Sequence, residues 1–304
     1  MRQPSSSRGW AYGRTVLMEF RKLTSTDAFI VFDLDDVPAV GVVRQAPKVL
    51  KDGAELLARS TTYAMASFGL RISGASAGIN AKPDDRDASL AAFIDEVAPL
   101  VESGRWLPGP SIGIAADDLS GLARGDERAA AFDQTAAGES AVAATLGALG
   151  SLDGRTVAIV GGGPIAEAAA ASAAANGATP QPQATFDTPC DALLVAGKAG
   201  VLEHDLAATV KARAVVPLTP VPVTARALAV LGRAGVVVVP DFLSTAAPAL
   251  GVVDPEGGDA MTRVHDAVAE LAGEGTGLWM AAVTKAEAHL HTWQHALPFG
   301  RPLS

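Results

Sequence analysis

The sequence predicts a two-domain α/β chain with a helical C-terminal segment. Three observations predict it: the length, an alternation of short apolar runs with helix-period segments, and one strand–glycine–helix unit in the second half. At 304 residues the chain is long enough for two cores at roughly 150 residues per domain. The expected organisation is a mixed α/β domain over residues 1–135, a parallel-sheet domain over 136–250 and a helical segment over 251–304.

Composition narrows the partners. A net charge of -9 without a basic cluster argues against nucleic acid or anionic lipid, which both need a positive field. Small neutral or zwitterionic ligands remain open. The single cysteine, Cys190, can form no internal disulfide and no thiolate zinc site, which fits a reducing compartment. The opening stretch "MRQPSSSRGWAYGRTV" has no apolar signal-peptide core, and no run approaches the ~18 apolar residues of a membrane span. The cytoplasm is the expected location.

In the first domain, "AFIVF" and "AVGVV" are short apolar runs between turn residues and read as strands. "KDGAELLARSTTYAMASFG" and "SLAAFIDEVAPLVESG" carry apolar residues at helical spacing, the second with Gly104 as its stop. The polar, small-residue stretch over 121–140 suits a linker. The second domain opens with "GRTVAIVGGGPIAEAAAASAAANGA". This is an apolar strand at 156–160, three glycines, and a helix begun by Pro164 and ended at Asn176-Gly177. In this strand–GxGxxA–helix unit Gly161 permits the tight turn, Gly163 lets backbone approach a pyrophosphate, and Ala166 closes the pattern at the start of a helix whose free N–H groups attract anions. "CDALLVAG", "ARAVVPL" and "AGVVVVPDFL" follow as short apolar runs between helices, the signature of a parallel sheet buried on both faces. The domain is therefore expected to be Rossmann-like.

Taken in order, these blocks resemble the Glu/Leu/Phe/Val amino-acid dehydrogenase family from about residue 29 to residue 250. "GVVR", ending in Arg44, is similar to the family's Gly-Gly-x-Arg strand. "TTYAMASFGLRISGASAGI" is similar to Thr-Tyr-Lys followed by a Gly-Gly-x-Lys loop that includes Gly74, and "LPGPSIGI" to a Pro-x-x-Asp-x-Gly turn. "TAAG", from Thr135, matches the Thr-x-x-Gly that opens the helix before the coenzyme domain. The run from "CDALLVAGKAGVL" to "VVVVPDFLSTA" matches the family's later strands. The resemblance implies two domains, C-terminal helices that return onto the first, an oligomer built through the first domain, and NAD(P)-dependent oxidative deamination of an α-amino acid.

That reaction, as the resemblance implies, needs a lysine for the substrate carboxylate, a second lysine of depressed pKa to activate water and an aspartate to shuttle protons. The three positions are occupied here by Ala64, Ser76 and Ser111. Between Lys51 and Lys198 the only lysine is Lys82, so nearby lysines do not replace the missing pair. Arg44 and Arg71 offer positive charge, but arginine stays protonated and cannot be a base. Arg44, Gly74, Ser76 and Ser111 are the expected pocket residues, with Val42 taking up room where the family has a second glycine. Ser76 and Ser111 have no histidine near them in sequence and read as pocket walls rather than nucleophiles.

The coenzyme half departs from the pattern as well. Gly161, Gly163, Ala166 and Thr135 are the expected dinucleotide contacts, but Gln181 and Gln183 stand where a ribose-binding acid belongs. Pro180 and Pro182 there argue against a buried strand. Only fourteen residues, 178–191, lead to the next apolar run, too few for a further strand and crossover helix, which need roughly 20 or more. A strand–helix unit is expected to be missing. NAD or NADP is the cofactor the resemblance implies, and the pattern does not support its binding well. His291 and His295, at i,i+4 in "EAHLHTWQH", read as surface or packing histidines rather than metal ligands. The Ala-rich helix after the glycines has Glu167 as its one charge and is expected to be buried. Residues 262–294 read as two helices broken at "GEGTG". Three functions remain in view. The favoured one is a non-catalytic partner or regulator, in a homo-oligomer or a heteromer with a paralogue. The others are an NAD(P)-dependent or other enzyme with rearranged chemistry and an amino- or keto-acid binding protein.

Overall fold

The structure is a computed structural model that describes residues 18–133, 135–298 and 300–303. Two five-stranded sheets organise it. The first is built from β1 (Glu19–Lys22), β2 (Ala28–Phe32), β3 (Ala39–Ala46), β4 (Ser73–Asn80) and β5 (Trp106–Pro110) in the order β1-β2-β4-β3-β5. β4, β3 and β5 run parallel, and β1 and β2 add an antiparallel edge. The two parallel crossovers are α1 (Lys51–Ser67) and α2 (Arg86–Glu102).

The helices cover opposite faces of this sheet. α2 sends Phe93 against Trp106, which also meets Phe32, both edge-to-face. α1 lies so close to β4 on the other face that a Cβ on Gly74 would stand 1.8 Å from the Ala58 carbonyl oxygen. α1 ends where Gly69 takes a φ of 75°, letting the Leu70 N–H turn back to the Met65 carbonyl at 3.0 Å.

Short 3-10 turns at Asp117–Arg124 and Glu127–Ala130 lead into α3 (Ala136–Leu149). The stretch expected to be a linker is thus largely folded, with Leu122 and Ala129 buried; its small residues pack rather than tether. The second sheet follows. It comprises β6 (Thr156–Val160), α4 (Pro164–Ala175), β7 (Thr179–Gln181), β8 (Ala192–Val195), α5 (His204–Ala207), β9 (Ala214–Pro217), α6 (Ala225–Arg233) and β10 (Val237–Val238). Its order is β10-β9-β8-β6-β7, with every pair parallel.

Two expectations about this sheet meet different outcomes. No helix separates β7 from β8, so the short count of residues before β8 does reflect a doubly wound sheet without one strand–helix unit on that side. The prolines do go without a buried strand, but they leave room for a half-exposed edge strand. β7 contains Pro180 and pairs with β6, because the missing neighbour leaves β7 at the edge, where a residue without N–H is tolerated. α4 also differs from expectation. It buries Ala166, Ala169 and Ala173 and leaves Glu167, Ala171, Ala174 and Ala175 exposed, so only one stripe is covered.

The chain finishes with α7 (Asp241–Ser244), α8 (Ala247–Val253), α9 (Ala260–Leu271), a 3-10 turn at Ala272–Gly277 and α10 (Leu278–Leu290). The break at "GEGTG" is where the sequence places it. α10 returns to α1, where Tyr63 donates to Glu287 at 2.9 Å and stacks obliquely on Phe242. α10 stops at Leu290, so His291 and His295 do not share a helix face, and among the described residues no group of His, Cys, Asp and Glu is arranged to hold a metal. No helix among the described residues is long and apolar enough to cross a membrane.

Candidate functional site

Strand register assembles the first-sheet site. Val42 of β3 lies between Ser76 of β4 and Gly109 of β5, so the three share one face. Two residues further along, Arg44 stands opposite Gly78. Beyond Val43 and Pro110 the register slips by one residue, since the Gln45 N–H bonds the Ile112 carbonyl at 2.8 Å, and Ser111 lies in the turn that follows the end of β5. This is the carboxyl end of the parallel strands, where open α/β sheets place ligands.

Around Arg44 the wall is small and apolar. A Cβ on Gly53, in the first turn of α1, would come within 3.8 Å of Arg44 Nη1, and one on Gly109 within 2.9 Å of the Phe132 ring. Arg44 Nη2 reaches Ser76 Oγ at 3.4 Å, a long bond. Its Nε is buried without a partner, and among the described residues no carboxylate pairs with it. Burial pulls the guanidinium down to about 10, still protonated at neutral pH.

The expected pocket residues therefore divide. Arg44 and Ser76 come together and Ser111 lies in the turn after β5, whereas Gly74 lies beneath α1 and serves its close packing. Ala64 is 5% exposed in the core beside Tyr63 and Met65, eleven residues along α1 from Gly53 and so about 16 Å away by helical rise. Ser76 is fully buried at 0%. Arg71 is exposed and outside this group. Chemically, the arrangement offers a fixed positive charge and the Ser76 hydroxyl. It contains no group able to take a proton near neutral pH.

The second-sheet turn is open. Gly161 has a φ of 94° and Gly163 a φ of 88°, left-handed values that favour glycine. Residues 161–164 are exposed, and Cβ atoms on Gly162 or Gly163 would meet nothing within 4 Å. A Cβ on Gly161 would come 2.8 Å from the Ala196 carbonyl, so its tightness serves the β6–β8 packing too. Ala166 is buried on the inner face of α4. Thr135 is held by Asp133, which accepts its N–H and hydroxyl at 2.8 and 2.6 Å. Three residues on, Gly138 lets α4 abut α3: a Cβ there would stand 2.3 Å from the Ile165 carbonyl.

The pyrophosphate end of a dinucleotide fits this turn. The adenosine end does not. Gln181 closes β7 with its Oε1 buried and unbonded, Gln183 turns the chain at a φ of 55°, and neither supplies the anionic acceptor for a ribose diol.

Two buried polar anchors that the sequence alone does not single out join these regions. Asp241, at the start of α7, accepts Ser60 Oγ from α1 at 2.5 Å and the Val221 N–H at 2.9 Å. Burial pushes its carboxyl up to about 6. Arg59, also on α1, donates to Asp33 at 2.7 Å and to the Pro298 carbonyl at 2.9 Å, and also to the carbonyl of Gly300. Desolvation pushes Asp33 up, against the pull of Arg59. No local pattern signals either anchor, since the partners lie as far apart in sequence as residues 60 and 241.

No protein-family profile and no curated protein matches this chain. Solved structures do. The hetero-hexameric glutamate dehydrogenase from Thermus thermophilus, in a Leu-bound form, superposes with a TM-score of 0.71 at 20% identity over 90% of this chain and 89% of its own. L-tryptophan dehydrogenase from Nostoc punctiforme gives 0.63 at 18% identity over 91% and 96%. Glutamate dehydrogenase from Plasmodium falciparum gives 0.71 at 12% identity over 88% and 79%. With two sheets in this order, a glycine turn opening the second and C-terminal helices returning to the first, the chain has the two-domain fold of the amino-acid dehydrogenases.

Proposed function

We propose that this chain is a divergent relative of the amino-acid dehydrogenases that does not carry out oxidative deamination and acts as a non-catalytic partner or regulator. The observation that carries the reading is the face around Arg44. Where deamination needs an ammonium that can lose its proton and a carboxylate that can accept one, the face presents Ser76 and a guanidinium that stays charged, with Ser111 in the turn after β5. Ser76 is also enclosed, and its hydroxyl accepts from Arg44 Nη2.

Assembly is part of the proposal. The Thermus thermophilus protein of this fold is hetero-hexameric and was captured with leucine, which supports a homo-oligomer, or a heteromer with an active paralogue, as the working form. The test is co-expression with an intact paralogue from the same genome, followed by light scattering and assay. The expected result is a joint mass and a changed rate for the paralogue. A monomeric mass both alone and with the paralogue overturns the proposal.

One observation favours a second reading, an NAD(P)-dependent enzyme with different chemistry: the exposed turn of Gly161 to Gly163 at the start of α4. In that case the turn would hold the pyrophosphate and the cofactor would supply hydride chemistry. Gln181 and Gln183 weigh against it at the ribose.

A further inference from the structure

We infer that Pro180 and Pro182 hold shut a self-association surface, the flank of the second sheet left open by the missing strand–helix unit. With their amides restored, a second copy of this chain would pair there. The inference concerns assembly alone and does not depend on whether the chain is catalytic. It starts from the direction of the backbone groups. β7 joins the sheet through β6 and forms its edge, and the Thr179 N–H turns inward to the Arg155 carbonyl at 2.8 Å. Backbone polar groups alternate sides along a strand, so Thr179 and Gln181 bond to β6 while residues 180 and 182 face outward. Both outward residues are proline.

The consequence is a flank with acceptors and no donors. Two strands related by a two-fold axis pair by exchanging N–H and carbonyl groups between matched residues. The outward positions 180 and 182 lie symmetrically about Gln181, so one axis would match residue 180 of each copy with 182 of the other. A second copy is therefore the fitting occupant. With proline at both positions carbonyl meets carbonyl, and no cross-strand bond forms. Beside the edge, α4 packs on β6 and β7 and leaves Ala171, Ala174 and Ala175 exposed, so apolar surface adjoins it. The first sheet ends in the same way. The Ala39 N–H bonds the Arg105 carbonyl at 2.9 Å, so on the edge strand β5 residues 107 and 109 face inward and Pro108 and Pro110 outward. There the 3-10 turns at 117–124 and 127–130 also pack on the strand, which is buried throughout. At β7, Thr179 and Pro182 remain exposed, and closure falls to the prolines.

Light scattering of the full chain tests this with two double variants. Pro180→Thr with Pro182→Thr restores both outward amides on strand-favouring residues. It is expected to show about twice the wild-type mass at the same concentration, falling back on dilution. Pro180→Lys with Pro182→Lys restores the same amides but sets like charges across the axis, and is expected to keep the wild-type mass. Exchange of the amide hydrogens of residues 180–182 is expected to be at least about tenfold slower in the threonine variant than in the lysine variant. The wild-type mass is the reference whatever its value, so a monomeric wild type, which counts against the proposed function, leaves this test intact.

Doubled mass in the threonine variant alone, with slowed exchange at 180–182, supports the closed surface. A wild-type mass for that variant overturns the inference, because the prolines are then only tolerated at an unpaired edge. Equal association of both variants overturns it too, since the added mass then comes from a loosened fold, and so does a raised mass without slower exchange at 180–182. Loss of cooperative urea unfolding in the threonine variant makes the prolines part of the strand's own stability and likewise overturns their role as its closure.

Discussion

Residues 161–163 and residues 73–78 are both runs of small residues, and their surroundings are opposite. The first is exposed, with left-handed glycines and open space where side chains would be. The second is buried throughout, and Gly74 is consumed by the approach of α1. In the turn, glycine supplies a conformation and leaves room for a ligand. In the strand it supplies packing, and the same composition that looks shaped for a substrate is what lets a helix lie on a sheet. The one charge on this face, Arg44, stands at the strand end beyond the packed stretch, its Nε buried and unbonded.

The largest effect that would break this contrast comes from the anchor that pins α1. Arg59→Leu leaves Asp33 buried without its partner, and a loss of about 3–5 kcal/mol is expected, read as a lower urea midpoint. A change below about 1 kcal/mol would mean that α1 is not held as described. Next is Gly74→Ala, where the new methyl meets the Ala58 carbonyl and backbone must move; about 3 kcal/mol is expected by the same measurement.

Asp241 gives a pH-dependent test of the contact between α1 and the second region. Its folded pKa of about 6 lies above the ordinary 3.8. Between those values the folded state holds more protons than the unfolded one, so stability falls as pH rises through the window and is regained on acidification. The effect is on the order of 2–3 kcal/mol between pH 7 and pH 4. It should appear as a difference in thermal midpoint against Asp241→Asn, which keeps an acceptor for Ser60 and Val221 but does not titrate. A wild type and variant with parallel pH profiles would contradict the burial of this group. The smallest effect is expected in the open turn. Gly163→Ala meets no atom and costs only the strain of a near glycine-only backbone conformation (φ 88°, ψ -177°), about 1–3 kcal/mol. A loss larger than that of Gly74→Ala would reverse the contrast.

Features carried by contiguous residues were legible in the sequence. The strand, turn and helix at 156–175 are specified within twenty residues, and the missing strand–helix unit follows from counting the residues before β8. The meaning of Pro180 was not legible, because whether a strand tolerates proline depends on a neighbour that is absent. The anchors Ser60–Asp241 and Arg59–Asp33 were not legible either, since their pairing exists only after two distant segments meet. For the candidate site, the grouping of Arg44 and Ser76 follows from strand register, which neither spacing nor composition fixes. Ala64 illustrates the converse: a position matched by motif is placed by the helix in the core, away from the other two.

The central claim, that this fold retains its frame without the proton chemistry of deamination, is tested most directly by reduction of NAD and NADP. The purified chain would be supplied in turn with Glu, Leu, Val, Phe and Trp and followed by nicotinamide absorbance. The account predicts rates equal to the enzyme-free control for all five. Steady turnover of any one of them, proportional to protein concentration and abolished by Arg44→Gln, would contradict it.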